Sequence, residues 1–216
     1  MSGAKPFVVA ITGASGAIYG IRFVRAMAEL GKSVALTISE AARIVIREEL
    51  GIVISDLKDL RFLDQLFGKD ASSQIAYYHY QDLAAPIASG SYPTQGMVII
   101  PSSTTSFSRI ANGISETLVE RAAECTIKEG RRLVIVPRET PFSALHLEHL
   151  LKLARVGVRV VPAIPAFYAG VQTVMDLVDF VIGKVLDQLE IQHALYRRWT
   201  GSAGELTEKG FQWAES

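Results

Sequence analysis

A strand–loop–helix pattern near the start of the chain constrains its fold more than any other feature. Residues 7–20 pass from an apolar, β-branched segment through Gly13 and further small residues into a helical pattern. Small or apolar side chains then recur on one helical stripe, at Ala17, Ile21, Val24 and Ala28. In such a loop the backbone can approach a ligand closely, and the first helical N–H groups point at an anion. We expect a helix that ends at Gly31, with either a phosphate near Ser15 or a tight turn without a ligand.

The same loop also looks like the start of a short-chain dehydrogenase. Those enzymes need glycines where Ala17 and Tyr19 stand here, and they use a Tyr-x-x-x-Lys pair in catalysis. No tyrosine in this chain is followed four residues later by lysine. The sequence therefore disfavours a nicotinamide-dependent dehydrogenase.

Composition narrows the class of protein. The 216 residues are 49% hydrophobic, which suits one domain with a large core. The formal net charge is zero and no long basic run is present, so nucleic-acid binding is not expected. We find neither a signal-peptide pattern nor an apolar run near the ~20 residues that span a membrane. We therefore expect a cytoplasmic protein without a membrane partner.

Strand and helix patterns alternate along the whole chain. Besides the first strand, strand composition covers residues 33–38, 74–80, 96–101, 132–136 and 157–161. Helical patterns cover residues 40–50, 115–129, 143–154 and 173–190. This alternation predicts a single α/β domain over residues 1–216, with a mostly parallel sheet and helices on both faces.

Polar residues follow several of the predicted strands. Ser39 comes after the second strand and can cap the next helix, and it can also reach a ligand. Five hydroxyl residues, 102–106, follow the strand at 96–101 and suit a phosphate, a heterocycle edge or a helix cap. Arg138 and Glu139 lie between two prolines after the strand at 132–136, so they are either held stiffly in a site or form a plain surface pair. The loop of small residues at 82–91 could cover a flat ligand.

Other candidate groups have simpler interpretations. His146 and His149 are three residues apart, whereas the zinc-protease motif needs four, so we assign them to structure or to the surface and expect no metal site. Glu49 fits a solvated surface carboxylate, and Lys184 either reaches solvent or faces an anion. Trp199 lies in a polar tail and suggests docking on a neighbouring subunit.

Nearly the whole chain, from Val8 to about Trp199, resembles the flavin prenyltransferases of the UbiX family. Five blocks of sequence, in the same order as in that family, carry the resemblance. The blocks are Thr-Gly-Ala-Ser-Gly-Ala at 12–17, Ala-Ser-Gly-Ser at 88–91, Val-Pro-Arg-Glu-Thr-Pro at 136–141, Leu-His-Leu-Glu-His-Leu-Leu-Lys-Leu-Ala at 145–154 and Pro-Ala-Phe-Tyr at 165–168. The resemblance implies a three-layer Rossmann-like or flavodoxin-like fold. It also implies a metal-independent transferase that moves a dimethylallyl group from dimethylallyl phosphate to FMN. The bond forms at flavin N5 and the ring then closes at C6, which yields prenylated FMN.

The resemblance further implies partners and site residues. The product would serve UbiD-type decarboxylases, and the enzyme would be a homododecamer with sites at subunit contacts. An extension at about 192–216 would dock on a neighbour. The implied FMN contacts are Gly13, Ala14, Ser15, Ser39, Ser103, Thr104, Thr105, Ser106 and Arg121. The implied prenyl-phosphate contacts are Lys128, Arg138, Glu139, Tyr168 and Lys184, and the implied catalytic residues are Ser15, Glu49, Arg138 and Glu139, the last as a general acid.

Some positions depart from the pattern of that family. Ser102 replaces a common cysteine, Ser106 a threonine, Lys184 a common arginine and Leu83 an aromatic residue. Two other functions share part of the pattern. A non-catalytic FMN-binding or delivery protein would need no second cluster of cations. A flavin-dependent decarboxylase of cysteine-type substrates would need a histidine early in the chain, and none precedes His79.

Overall fold

The computed structural model describes residues 5–199, which form a six-stranded sheet with helices on both faces. The strands are β1 (Phe7–Ile11), β2 (Val34–Ile38), β3 (Ile75–Tyr77), β4 (Gly96–Ser102), β5 (Leu133–Pro137) and β6 (Arg159–Val160). The helices are α1 (Ala17–Glu29), α2 (Glu40–Leu50), α3 (Arg61–Phe67), α4 (Lys69–Ser72), α5 (Thr104–Ala111), α6 (Leu118–Lys128), α7 (Ala144–Arg155) and α8 (Val174–Gln188). The predicted α/β fold is confirmed, although the strands at 74–80 and 157–161 shorten to three and two residues.

The order of the strands is β3-β2-β1-β4-β5-β6, and all five pairings are parallel. The chain builds outward from β1 to β3, then returns to place β4 beside β1. In open α/β sheets, ligands bind beyond the carboxyl ends of the strands at such a reversal. The point between β1 and β4 is therefore where a site is expected.

The sheet is buried on both faces, which explains its continuous apolar strands. In β1, Val9 and Ile11 pack with α1, α3 and α8, whereas Val8 and Ala10 pack with α5, α6 and α7. All five residues of β1 are buried. The two apolar layers hold the strand ends, and so the loops that follow them, in fixed positions.

Side-chain caps define where several helices begin. Ser39 accepts a hydrogen bond from Ala42 N at 3.1 Å, as predicted for a cap of α2. His146 completes the cap of α7, because its Nδ1 accepts from Ser143 N at 3.3 Å. His149 joins two helices through Ser108 on α5, at 2.9 Å. Both histidines thus have structural contacts.

Between residues 5 and 199, no helix is long and apolar enough to cross a membrane. Within the same range, no group of three or more His, Cys, Asp or Glu side chains is arranged to hold a metal ion.

Candidate functional site

A buried threonine ties together the loops that follow β1 and β4. Thr12 is 1% exposed and donates a hydrogen bond from Oγ1 to Pro101 O at 2.8 Å. The same Oγ1 accepts from Ser103 N at 2.8 Å. Thr12 therefore places the two loops side by side at the reversal of the strand order. Thr12 was not predicted as a site residue, although a hydroxyl that ends an apolar run is a usable signal.

The hydroxyl run forms the start of α5. Ser103 is the N-cap, and its Oγ accepts from Ser106 N at 3.2 Å and lies 2.9 Å from Ser106 Oγ. In the described part of the chain, no hydrogen bond uses the backbone N–H groups of Thr104 and Thr105. Because these donors stand at the positive end of a helix, they can bind an anion.

The N-terminus of α1 also faces an anion, but the anion belongs to the chain itself. Glu49, in the last turn of α2, accepts from Gly16 N with both carboxylate oxygens at 2.9 Å. It also accepts from Ala17 N at 2.9 Å. The residue is exposed, as expected, yet its carboxylate occupies the helix N-terminus. Here the carboxylate of Glu49 accepts from these donors, and a phosphate near Ser15 stays one of the two predictions for this loop.

The charge of Glu49 is stabilised where it lies. Burial of the carboxyl would raise its pKa, but hydrogen bonds from the Ser15 side chain, Gly16 N and Ala17 N, together with the charge of Arg138, outweigh that effect. The pKa of Glu49 therefore lies below its ordinary value of 4.5. This interaction stabilises the fold above that pH, and the stabilisation is lost as the pH falls through the folded value.

We expect Glu49→Gln to lower the free energy of unfolding by about 1 kcal/mol at neutral pH, because α1 loses an anion at its N-terminus. Urea unfolding at neutral and acidic pH measures this, and the difference from wild type should shrink in acid. The matched control is Glu48→Gln, since Glu48 pairs only with the exposed Arg47. An equal loss in both variants would contradict the capping role.

Arg138 lies against the same loop. It follows β5 directly, and its Nε donates to Ser15 O at 2.9 Å. Its charge is also among the causes that lower the pKa of Glu49. The neighbouring Glu139 accepts from Thr140 N at 3.0 Å with its own Oε1. The structure thus brings Ser15, Glu49 and Arg138 together.

Four adjacent strands deliver these groups to one edge of the sheet. The strands β2, β1, β4 and β5 are neighbours, and they are followed by Ser39, the Gly13 loop, Ser103 and Arg138, respectively. A side chain at Gly13 would overlap Ala41 at the start of α2. Glycine is therefore required for the loop after β1 to lie against the start of α2.

Arg121 supports the loop at 82–91. Its Nε donates to Ala88 O at 3.1 Å, and its Nη1 donates to Glu124 at 3.0 Å. Cys125 also donates to Ala88 O, at 3.2 Å. The helix α6 therefore fixes the position of Ala88 in this loop. Contact between Arg121 and FMN stays a prediction.

Lys128 does not lie with Arg138 in a single chain. Lys128 ends α6, before the amino end of β5, whereas Arg138 follows its carboxyl end. A five-residue strand separates the two ends by roughly 16 Å. Lys128 pairs with Glu129 at 3.4 Å and lines a cavity of about 260 Å³ with residues from the end of α7. Within one chain, Lys128 is therefore separated from Arg138 by the length of β5.

Tyr168 and Lys184 lie near the C-terminal segment. Tyr168 packs edge to face on Phe180 and Trp199, with ring centroids 5.8 and 5.9 Å apart. Lys184 Nζ is 3.9 Å from Asp187 Oδ2. Residues 192–199 pack in part on α8 of their own chain, and residues 200–216 lie outside the described part. Docking of the extension on a neighbouring subunit stays a prediction.

Comparison with known proteins agrees with this arrangement. The profile of the Flavoprotein family matches residues 1–186. A flavin prenyltransferase UbiX of Halalkalibacterium halodurans is 51% identical over 193 residues, which cover 89% of this chain and 92% of the relative.

Solved structures agree as well. The crystal structure of AnUbiX (PadA1) with FMN and dimethylallyl pyrophosphate is 32% identical, covers 93% of this chain and 100% of that chain, and superposes with a TM-score of 0.82. A dodecameric FMN-dependent UbiX-like decarboxylase from Escherichia coli O157:H7 is 38% identical, covers 91% and 100% of the two chains, and has a TM-score of 0.80. With the sequence match and the fold in agreement, this chain belongs to the UbiX family of flavin prenyltransferases.

Proposed function

We propose that this protein transfers a dimethylallyl group from dimethylallyl phosphate to reduced FMN, first to N5 and then to C6. One observation carries the proposal. Uncharged hydrogen-bond donors and Arg138 lie at the same edge of the sheet, after the carboxyl ends of four adjacent strands. The uncharged donors suit a flavin, and the guanidinium suits a phosphate. The family to which the chain belongs supports this assignment.

The residues at the reversal of the strand order fit FMN. The start of α5 offers hydroxyl groups and the N–H groups of Thr104 and Thr105, and Ser39 stands at the start of α2. The buried Ser102 Oγ and Thr37 Oγ1 have no hydrogen-bond partner within the described chain. Such orphaned hydroxyls at and near strand ends suit a site that accepts further polar groups. We assign the FMN phosphate to the donors of α5, since Glu49 already occupies those of α1.

The second substrate needs a stabilised leaving group. In the reaction, the bond between the allyl carbon and the phosphate oxygen breaks, and its electron pair leaves with the phosphate. Reduced FMN supplies the nucleophilic N5 and C6 atoms when bound. Arg138, Tyr168 and Lys184 would stabilise the departing phosphate by charge and hydrogen bonding. We assign the monophosphate as the donor, as the family resemblance implies.

Ser15, Glu49 and Glu139 would handle protons. The Ser15 side chain helps to lower the pKa of Glu49, so the two groups lie close enough to suit a proton relay beside the flavin. Glu139 follows Arg138 and would protonate the leaving phosphate. An anionic Glu139 would repel that phosphate, so this role requires it to carry a proton in the complex.

We expect Glu139→Gln to lower kcat by about 10²-fold with little change in the KM for dimethylallyl phosphate, because only proton transfer is lost. Initial rates followed by flavin absorbance and mass measure this. Glu148→Gln, which changes an exposed carboxylate on α7, is the control. A rate equal to wild type would remove the acid role of Glu139.

A second copy of the chain would complete the site. Lys128 lies at the opposite edge of the sheet from Arg138, so its predicted contact with phosphate requires another subunit. The dodecameric relative from Escherichia coli supports a homo-oligomer of this kind. We assign the protein to the cytoplasm and its product to a UbiD-type decarboxylase.

One reaction tests the proposal directly. Purified protein is incubated without oxygen with reduced FMN and dimethylallyl phosphate, and the released flavin is weighed. The expected flavin has gained one dimethylallyl group in place of a hydrogen. A parallel reaction with dimethylallyl diphosphate should proceed more slowly. Recovery of unmodified, tightly bound FMN would instead indicate a binding or delivery protein.

A further inference from the structure

The C-terminal segment at 191–199 turns back along α8 and is held by one carboxylate. Asp187, with a side chain only 19% exposed, accepts from Tyr196 OH at 2.6 Å and from Arg198 Nη2 at 2.7 Å. His193 Nδ1 accepts from Leu195 N, so its Nε2 carries the proton and donates to Asp187 at 3.2 Å. Three side chains of the segment thus converge on Asp187.

The surface of α8 is shaped to receive this segment. A Cβ at Gly183 would lie 2.5 Å from Tyr196 Cδ1 and 2.7 Å from His193 Cε1. Only glycine leaves room for both rings, one turn before Asp187. The Arg198 guanidinium also covers the Tyr196 ring at 5.4 Å. The backbone of α8 therefore contacts two of the three side chains that Asp187 binds, His193 and Tyr196.

Aromatic contacts connect this network to the prenyl-phosphate site. Tyr196 packs on Phe180 with ring centroids 4.9 Å apart, and Phe180 packs on Tyr168 at 5.8 Å. Tyr168 in turn packs on Trp199 at 5.9 Å. Trp199 directly follows Arg198, so the hydrogen bond between Arg198 and Asp187 also restricts the position of Trp199. A shift of the segment would therefore move Trp199, which contacts Tyr168 directly, and Tyr196, which contacts it through Phe180.

Lys184 is coupled to the same carboxylate. Its Nζ lies 3.9 Å from Asp187 Oδ2, which is longer than the contacts from Arg198 and Tyr196. Asp187 is thus already saturated by shorter hydrogen bonds. The longer contact steers the ammonium group without using up its hydrogen-bonding capacity, which remains available for an anion.

We propose that Asp187 is a positioning residue for the prenyl-phosphate site. It sets Tyr168 and Trp199 through the C-terminal segment and steers Lys184 directly. This inference rests on the proposed function, because it takes Tyr168 and Lys184 as phosphate contacts.

Asp187 keeps its charge in any ordinary assay. Burial would raise the pKa of its carboxyl, but hydrogen bonds from Arg198, Tyr196 and His193 outweigh that effect and hold the pKa at about 2. Asn has the same shape as Asp without this charge. Asp187→Asn therefore removes the ionic part of the network with little change in volume.

We expect Asp187→Asn to raise the KM for dimethylallyl phosphate by about tenfold or more, with the KM for reduced FMN unchanged. Tyr196→Phe keeps the ring and loses one hydrogen bond, so it should raise the same KM by a smaller factor. It provides a second test if Asp187→Asn does not fold. The matched control is Asp179→Asn. Asp179 lies on the same helix and pairs with Arg22 at 2.7 Å, away from the segment. A purely structural role would lower stability in all variants without changing this KM.

A spectroscopic readout tests the arrangement without the reaction. In a Trp213→Phe background, Trp199 is the only remaining tryptophan. Asp187→Asn should increase quenching of its fluorescence by acrylamide, whereas Asp179→Asn should not. Unchanged quenching and an unchanged KM would overturn the inference. If the wild type makes no prenylated flavin, the proposed function fails, and quenching still decides whether Asp187 holds the segment.

Discussion

Arg138→Ala is expected to lower kcat/KM for dimethylallyl phosphate by about 10²–10³-fold, which corresponds to ~3–4 kcal/mol of transition-state stabilisation. The guanidinium is anchored by its Nε on Ser15 O at 2.9 Å and stands beside Glu49. It would thus enter the reaction already oriented toward the leaving phosphate. Arg138→Lys should retain part of the activity, because an ammonium keeps the charge but loses the planar fork. Steady-state rates with each substrate varied in turn measure both effects.

The control removes an arginine that lies outside the proposed site. Arg47 is exposed on α2 and pairs with Glu48, so Arg47→Ala should leave kcat/KM unchanged. Binding of FMN to Arg138→Ala should remain within about threefold of wild type if the loop at Ser15 stays in place. Unchanged affinity and turnover with dimethylallyl phosphate would show that Arg138 does not hold this substrate.

Gly20→Ala is expected to lower the free energy of unfolding by about 3 kcal/mol. Gly20 lies where α1 crosses β1 and β4. An added Cβ would be 2.5 Å from Ile100 O and 2.9 Å from Ile11 Cγ1. The first contact is with backbone, which cannot rotate away, so the helix must shift from the sheet. Denaturant unfolding at fixed protein concentration measures the loss, since oligomers respond to concentration.

A second glycine provides the matched control. Gly31 ends α1 with φ at +67°, and an added Cβ there has no neighbour within 4 Å. Gly31→Ala should therefore cost only about 1 kcal/mol, from backbone strain alone. A greater loss at Gly31 than at Gly20 would contradict the steric argument. Because the shift in Gly20→Ala moves the start of α1, it should also reduce activity.

The sequence by itself predicted the architecture because its signals are local. Strands buried on both faces are continuous apolar runs, and the helices between them carry one apolar stripe, so their alternation implies a parallel sheet. Caps are equally local, and Ser39 was predicted from its place between strand and helix. The grouping of polar residues beyond the carboxyl ends of the strands follows from the same parallel order. These features depend on residues within a few positions of one another.

The tertiary structure decided which side chains meet. Glu49 binds the start of α1 from 33 residues away, and Thr12 joins Pro101 from 89 residues away. Lys128 and Arg138, only ten residues apart, end at opposite edges of the sheet because β5 runs between them. Periodicity assigns a residue to a face of its helix, but its partner depends on how helices pack across the sheet. That packing is set by the whole core, which no single stretch of sequence contains.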